Sequence, residues 1–138
     1  MTNKTILIFS TAYLPLVGGA ELAVKELTDR LPADWRFVLI TARMKKALPT
    51  QESIGRVQVH RVGSGSVLDK YWLIWAGPRL AERLVPKPGL VWAIMASYAG
   101  FASLRYKKRH PVVPYLLTLQ EGDSRFDIYK HVWWCWPY

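Results

Sequence analysis

Five short apolar runs, each closed by small or polar residues, alternate along the chain with segments whose apolar positions recur at helical spacing. Residues 5–10 are apolar on both faces and predict a strand buried in a parallel sheet. Ala20, Ala23, Val24, Leu27 and Leu31 fall on one helical stripe. Glu21 in the first turn and Arg30 in the last both suit the helix dipole, and Pro32 ends the helix. Residues 36–41 predict a second strand, and residues 43–55 a polar loop. Residues 57–62 alternate strictly, which predicts a strand exposed on one face and lying near a sheet edge. After a turn at 63–66, Ser66 is placed to cap a helix over 67–76. Gly77-Pro78 predicts a break, with Pro78 opening a second short helix that ends near Leu84. A strand at 90–95, a helix at 97–109 and a strand at 114–119 follow. Ser124 and Asp127 form a capping-box pair for a last helix, on which Phe126, Tyr129, Trp133 and Trp136 share a face.

Strands alternating with helices, most strands apolar on both faces, imply an α/β fold: a Rossmann-like open parallel sheet with helices on both faces. The 138 residues are enough for one domain and too few for two. The Trp-rich final helix exposes large aromatic rings, so either a partner covers it or the chain is a fragment.

Composition narrows the setting. The single Cys135 allows no internal disulfide, and the first apolar run is too short for a signal sequence. Asp69, Lys70 and Pro78 prevent the segment around residues 67–76 from spanning a bilayer. A soluble cytoplasmic protein is expected. The net charge of +9 favours an anionic partner, whether nucleic acid, acidic lipid or a phosphorylated ligand, or marks a merely basic surface. No nucleic-acid-binding signature is present and the basic residues fall in separate clusters, so no nucleic-acid partner is expected. His60, His110 and His131 lack metal-ligand spacing, and no metal is expected. Tyr71, Trp72 and Trp75 lie within one helical segment and read as core packing.

Ligands of open α/β sheets bind outside the carboxyl ends of the strands. Those ends here are Ser10-Thr11-Ala12-Tyr13, Thr41, Ala96-Ser97-Tyr98 and Gln120-Glu121-Gly122-Asp123. Gly18-Gly19 precedes a helix start, where free N–H groups and a partial positive charge attract phosphate. The same pair could simply make a tight turn into the helix. Neither the dinucleotide fingerprint nor the Walker pattern is present.

The stretch from Ile6 through Leu14-Pro15 to Gly18-Gly19-Ala20-Glu21 resembles the opening of glycosyltransferase family 4, in which a strand leads through a Tyr/Pro loop to G-G-x-E at a helix start. Leu90-Val91-Trp92-Ala93 with Ser97-Tyr98-Ala99-Gly100 is similar to the family's next strand and small-residue helix start. Pro114 to Asp123 is similar to its P-x-V-x-T-x-H-G-x-D segment. The three matches occur in order and cover most of the chain.

The resemblance implies that residues 1–138 are the N-terminal half of a GT-B architecture, the acceptor-side domain, without the C-terminal domain that binds the donor. It implies retaining sugar transfer from a nucleotide-sugar co-substrate to a glycan or lipid-linked acceptor, with no metal or other cofactor. Gly18 and Gly19 would direct N–H groups at phosphate or acceptor, and Tyr13, Ser97, Tyr98 and Asp123 would line the same site. Glu21 would touch ligand or cap its own helix. Gln120 stands where the family usually has His, and Gln exchanges no proton usefully. Glu121 or Asp123 would therefore take the acid–base or acceptor-orienting part, unless Asp123 only caps the last helix. Trp133 and Trp136, with Lys107, Lys108 and Arg109, would meet a partner or the anionic inner face of a membrane. The rival reading is a non-catalytic α/β module that binds membrane or protein.

Overall fold

The innermost strand is the first. In this computed structural model, which describes residues 4–16 and 18–119, β1 (Thr5–Phe9) lies between β2 (Arg36–Ala42) and β5 (Leu90–Ile94) and is parallel to both. Its TILIF sequence has no polar side chain past Thr5, so both faces can be covered. Leu7 and Phe9 face one apolar layer, Ile6 and Ile8 the other. The α1-side layer holds Ala20 and Val24 of α1 (Gly19–Arg30). The opposite layer holds Leu73 and Ala81 of α2 (Asp69–Leu84) with Ala99, Ala102 and Tyr106 of α3 (Tyr98–Arg109).

The fold is α/β, with three helices on a six-stranded, mostly parallel sheet among the described residues. With β3 (Gln51–Ile54), β4 (Val57–Val62) and β6 (Tyr115–Thr118), the strand order is β3-β4-β2-β1-β5-β6. Only β3 runs antiparallel to its neighbour. This arrangement is consistent with the Rossmann-like sheet expected from the sequence.

Several expectations change in detail. The supposed polar loop contains β3, which pairs Ile54 with Val57 across the two-residue turn Gly55-Arg56. Gly55 has φ +58°, the left-handed conformation that such hairpin turns need. The polar sequence of β3 concealed it, because an edge strand has little surface to bury. β3 covers the flank of β4, which lies next to the edge as expected, but the strand is not exposed on one face: Gln58 alone is exposed, while His60 on the same face and Arg61 on the face of Val57 and Val59 are buried.

Gly77-Pro78 does not break the second helix, which is continuous. Both residues are buried, and a Cβ on Gly77 would stand 3.1 Å from Leu73 Cδ1 and 3.6 Å from Ile40 and Phe9. The glycine thus lies where the helix packs on the sheet, with only Leu73 of the same helix crowding a Cβ, and the buried packing offsets the donor that Pro78 lacks. In α1 the buried stripe is Ala20, Val24 and Thr28, so Ala23 and Leu27 turn toward solvent. The expected final helix lies outside the described residues.

α2 starts at Asp69 with Leu68 in the cap position, and Ser66 Oγ accepts only the Leu68 N–H at 3.3 Å. The turn into this helix is built around Asp69, whose buried carboxylate accepts N–H bonds from Ser64 (3.1 Å), Gly65 (2.7 Å), Ser66 (3.0 Å) and Met44 (3.3 Å). A Cβ on Gly63, which has φ +110°, would fall inside that carboxylate. Burial opposes ionisation of Asp69, but the four backbone donors outweigh it and hold the carboxyl below its ordinary value.

Asp69→Ala would orphan these donors and is expected to cost about 2–3 kcal/mol in urea unfolding. Because the folded-state pKa is depressed, the carboxylate's contribution is complete above the ordinary carboxyl range and disappears as pH falls through the lower folded value. Asp69→Asn should therefore flatten the acid limb of the stability–pH profile.

Candidate functional site

Strand order reverses at β1: β2 and β4 lie on one side, β5 and β6 on the other. Chains leaving β1 and β5 therefore diverge, which opens a crevice at their carboxyl ends. One oxygen ties its two walls together. Thr11 Oγ1 lies 2.8 Å from Ser97 Oγ and accepts the Ala99 N–H at 3.2 Å. Thr11, in the loop after β1, thus satisfies a first-turn donor of α3. Ser97, although in the cap position, makes no side-chain cap bond of its own.

Between β5 and Ser97 the backbone is strained. Met95 has φ +66°, a left-handed conformation that costs a non-glycine residue roughly 1–2 kcal/mol. Its N–H is held by Thr118 O at 2.8 Å, and its carbonyl would lie 3.2 Å from a Cβ on Gly100. The strain turns the chain sharply out of the sheet and over Thr11.

Across the crevice, α1 begins at Gly19 with no side-chain cap bond. Gly18 and Gly19 are both exposed. Gly18 has φ −138°, ordinary extended backbone, so its conformation does not require glycine. A Cβ there would meet only the Glu21 carboxylate, the end of a flexible side chain that can swing away. Glu21 thus lies against Gly18 at the positive end of its own helix, a favourable position for a carboxylate. A phosphate arriving at the same N–H groups would have to move that flexible side chain aside.

The loop between β1 and α1 is anchored from below at two points. Tyr13 is 1% exposed, packs in the α1-side core and has a hydroxyl with no hydrogen bond among the described residues. Burial, and after it the charges of Asp29 and Glu21, push its pKa up to about 12. Arg61 is the second anchor, and the sequence reading missed it. Its guanidinium donates to Leu14 O (2.7 Å) and Pro49 O (3.1 Å) and pairs with Glu52 at 2.5 Å. The β3–β4 register sets Glu52 opposite Val59, hence diagonal to Arg61 on the same face. The Gly55-Arg56 turn was the sequence signal that could have revealed the pair.

Of the remaining expected residues, Tyr98 begins α3 and meets Tyr71 edge-on, with ring centroids 5.0 Å apart. Lys107 donates to the carbonyls of Pro111 and Val113, each at 2.6 Å, and Arg109 pairs with Glu82 at 3.3 Å. These two, with exposed Lys108, occupy the end of α3 remote from the crevice. Gln120, Glu121, Asp123, Trp133 and Trp136 lie outside the described residues, although β6 ends on the crevice rim. His60 is buried in the sheet, where burial and then the Arg36 charge lower its pKa. His110 stacks on Tyr106 at the far end of α3. No group of three or more metal-ligating side chains occurs among the described residues.

Beside the crevice lies an open groove of about 810 Å³, walled by the 63–66 turn and by Leu68, Tyr71, Trp72 and Trp75 of the α2 segment. The expectation that these aromatics pack in the core is wrong: Trp72 is 56% and Trp75 51% exposed. The inward stripe of α2 is Asp69, Leu73, Gly77 and Ala81 instead. No protein-family model matches the chain, and no curated protein sequence matches it.

Thr11→Val should leave Ala99 N–H and Ser97 Oγ without their partner and cost about 1–2 kcal/mol in urea unfolding. Arg61→Met should cost a similar amount, about 2 kcal/mol. It should also speed amide hydrogen exchange in residues 11–16 ahead of the sheet, since two loop carbonyls and Glu52 lose one shared donor.

Proposed function

We propose that this chain is the acceptor-side domain of a retaining, nucleotide-sugar-dependent glycosyltransferase, the N-terminal half of a GT-B enzyme. A second α/β domain would hold the donor across the crevice. The observation that carries the reading is the start of α1, where only the movable Glu21 side chain lies against exposed glycines. Gly18 and Gly19 are exposed and free of any side-chain cap, on the same rim as the Thr11–Ser97 bridge and the end of β6. The ordered resemblance of all three segments to glycosyltransferase family 4 supports it.

In the proposed reaction, an acceptor hydroxyl forms a bond to the anomeric carbon while the bond from that carbon to the diphosphate oxygen breaks. The hydroxyl proton passes to the departing diphosphate or to a carboxylate. Negative charge grows on the leaving phosphate, and donors aimed there in advance lower the barrier. Gly18 and Gly19 would provide backbone N–H groups for that charge, with Arg61 and Tyr13 holding their loop from beneath. Ser97 and Tyr98 would border the acceptor, a glycan or lipid-linked sugar. Glu121 or Asp123 would orient the attacking hydroxyl or receive its proton, with Gln120 as a neutral hydrogen-bonding neighbour. No described helix is long and apolar enough to cross a membrane. We place the enzyme in the cytoplasm, reaching lipid-linked acceptors at the membrane surface.

Gly19→Pro tests the assignment. Proline suits the first position of a helix, and the extended Gly18 is compatible with a following proline, so the fold should be kept. The variant lacks one N–H. In an NMR titration with uridine and guanosine diphosphates, the amides of residues 18–20 should shift in the wild type. Affinity should fall about fivefold to tenfold in the variant, as for one charge-assisted hydrogen bond, at unchanged melting temperature. An absence of shifts at residues 18–20 with either nucleotide at millimolar concentration would overturn the assignment of phosphate contact to Gly18 and Gly19.

A further inference from the structure

The first two turns of α2 are apolar on the side that faces away from the protein. The helix's inward stripe supplies the core contacts of an ordinary surface helix, and charged residues would normally occupy the other side. Instead Val67 (59% exposed) and Leu68 (68%), just before the helix, lead into Tyr71, Trp72 and Trp75 on the outward surface of its first two turns. Single exposed apolar residues are ordinary, but a contiguous set rich in Trp and Tyr marks a surface that meets something.

Among the described residues, the charges on the segments around this set have one sign, Asp69 apart. The segments that frame it are residues 43–50, 63–81 and 98–109. Together they contain one acidic residue, Asp69, which is turned inward and consumed by the amides of its own turn. Arg105 stacks over the Trp75 ring at 3.9 Å, and the Lys70 ammonium lies 5.1 Å from the Tyr98 ring and 5.3 Å from that of Tyr71. The turn at Gly65 abuts Lys46, which brings exposed Lys45 and Lys46 to the groove rim, and Arg79 extends the outward side of α2 by one turn. Aromatic rings at the height of their neighbouring cations, with two bare aliphatic side chains at the tip, suit the boundary between lipid headgroups and acyl chains.

We propose that this face of α2 docks the protein onto an anionic lipid bilayer. Val67, Leu68, Trp72 and Trp75 enter the headgroup boundary, and Lys45, Lys46, Lys70, Arg79 and Arg105 meet lipid phosphates. Charge complementarity selects the bilayer over a second copy of this chain, which would set these cations against their like. It also moves the membrane contact away from Lys107 and Arg109, whose side chains are bound within the protein at the far end of α3. The proposal does not rest on sugar transfer, and either reading can fail alone.

The test is co-sedimentation of the full chain with phosphatidylcholine vesicles, with and without phosphatidylglycerol, combined with residue-resolved hydroxyl-radical footprinting. Partition into the anionic vesicles is expected, strongly reduced by salt. Trp72 and Trp75 should be reactive in the free protein and shielded once vesicles are added. Trp72→Ser with Trp75→Ser should weaken partition at least about tenfold. Lys45→Gln with Lys46→Gln should weaken it by about fivefold per cation removed. Should the tryptophan variant melt earlier than wild type, Leu68→Asn at the exposed tip provides the same comparison. Wild-type partition in these variants overturns the proposal. So does shielding of Trp72 and Trp75 before vesicles are present: independent of concentration, it assigns the face to residues 120–138, and dependent on concentration, to a second copy.

Discussion

Everything in this domain is arranged around a strand that has no exposed side. β1 must be covered above, below and along both edges, so it is sandwiched between β2 and β5 while α1 seals one face and α2 with α3 seal the other. The cost of leaving any part of TILIF in water fixes its central place. Neighbouring strands must then be added in opposite directions from it. That reversal splits the loops at the carboxyl end and creates the crevice, so the candidate site is a by-product of burying the first strand.

A crevice made this way would be loose without ties between its walls. Thr11 is the tie across it, at the expense of a left-handed Met95 that brings Ser97 within reach. Arg61 is the tie beneath it, joining the glycine-bearing loop to β3 and β4. Both work through backbone carbonyls and amides, which gives the rim a defined shape before any ligand arrives.

The parallel strands and α1 and α3 were legible because burial on two faces, or on one helical stripe, writes itself as periodicity. What escaped was decided by tertiary contact. β3 is polar because it lies at an edge, and only its turn betrayed it. Gly77-Pro78 has the local signature of a break, yet close packing on Ile40 and Phe9 overrides it. Arg61 falls on the face of Val57 and Val59, where alternation leads one to expect an apolar side chain, and its role as a buried charge depends on distant partners, Glu52 and the carbonyls of Leu14 and Pro49. The outward tryptophans of α2 were misplaced for the converse reason, since hydrophobicity indicates that a side chain seeks cover without saying whether the cover belongs to the same molecule. At the candidate site the glycines and Ser97 were visible as residue types at strand ends. The bridging function of Thr11 depends on a residue 86 positions away and has no local trace.

The turn before α2 is a ring of inward-pointing amides, the same concave geometry with which many proteins hold an anion. Here the chain provides that anion itself, because Asp69 fills the ring. α3 is likewise pre-empted in part, by the hydroxyl of Thr11. Three described helices start along this rim, and a diphosphate approaching it would find only the α1 start free of hydrogen bonds from a side chain to its amides, with just the movable Glu21 carboxylate lying against it. Discrimination between otherwise equivalent landing points is achieved by self-saturation, without any residue that recognises the visitor.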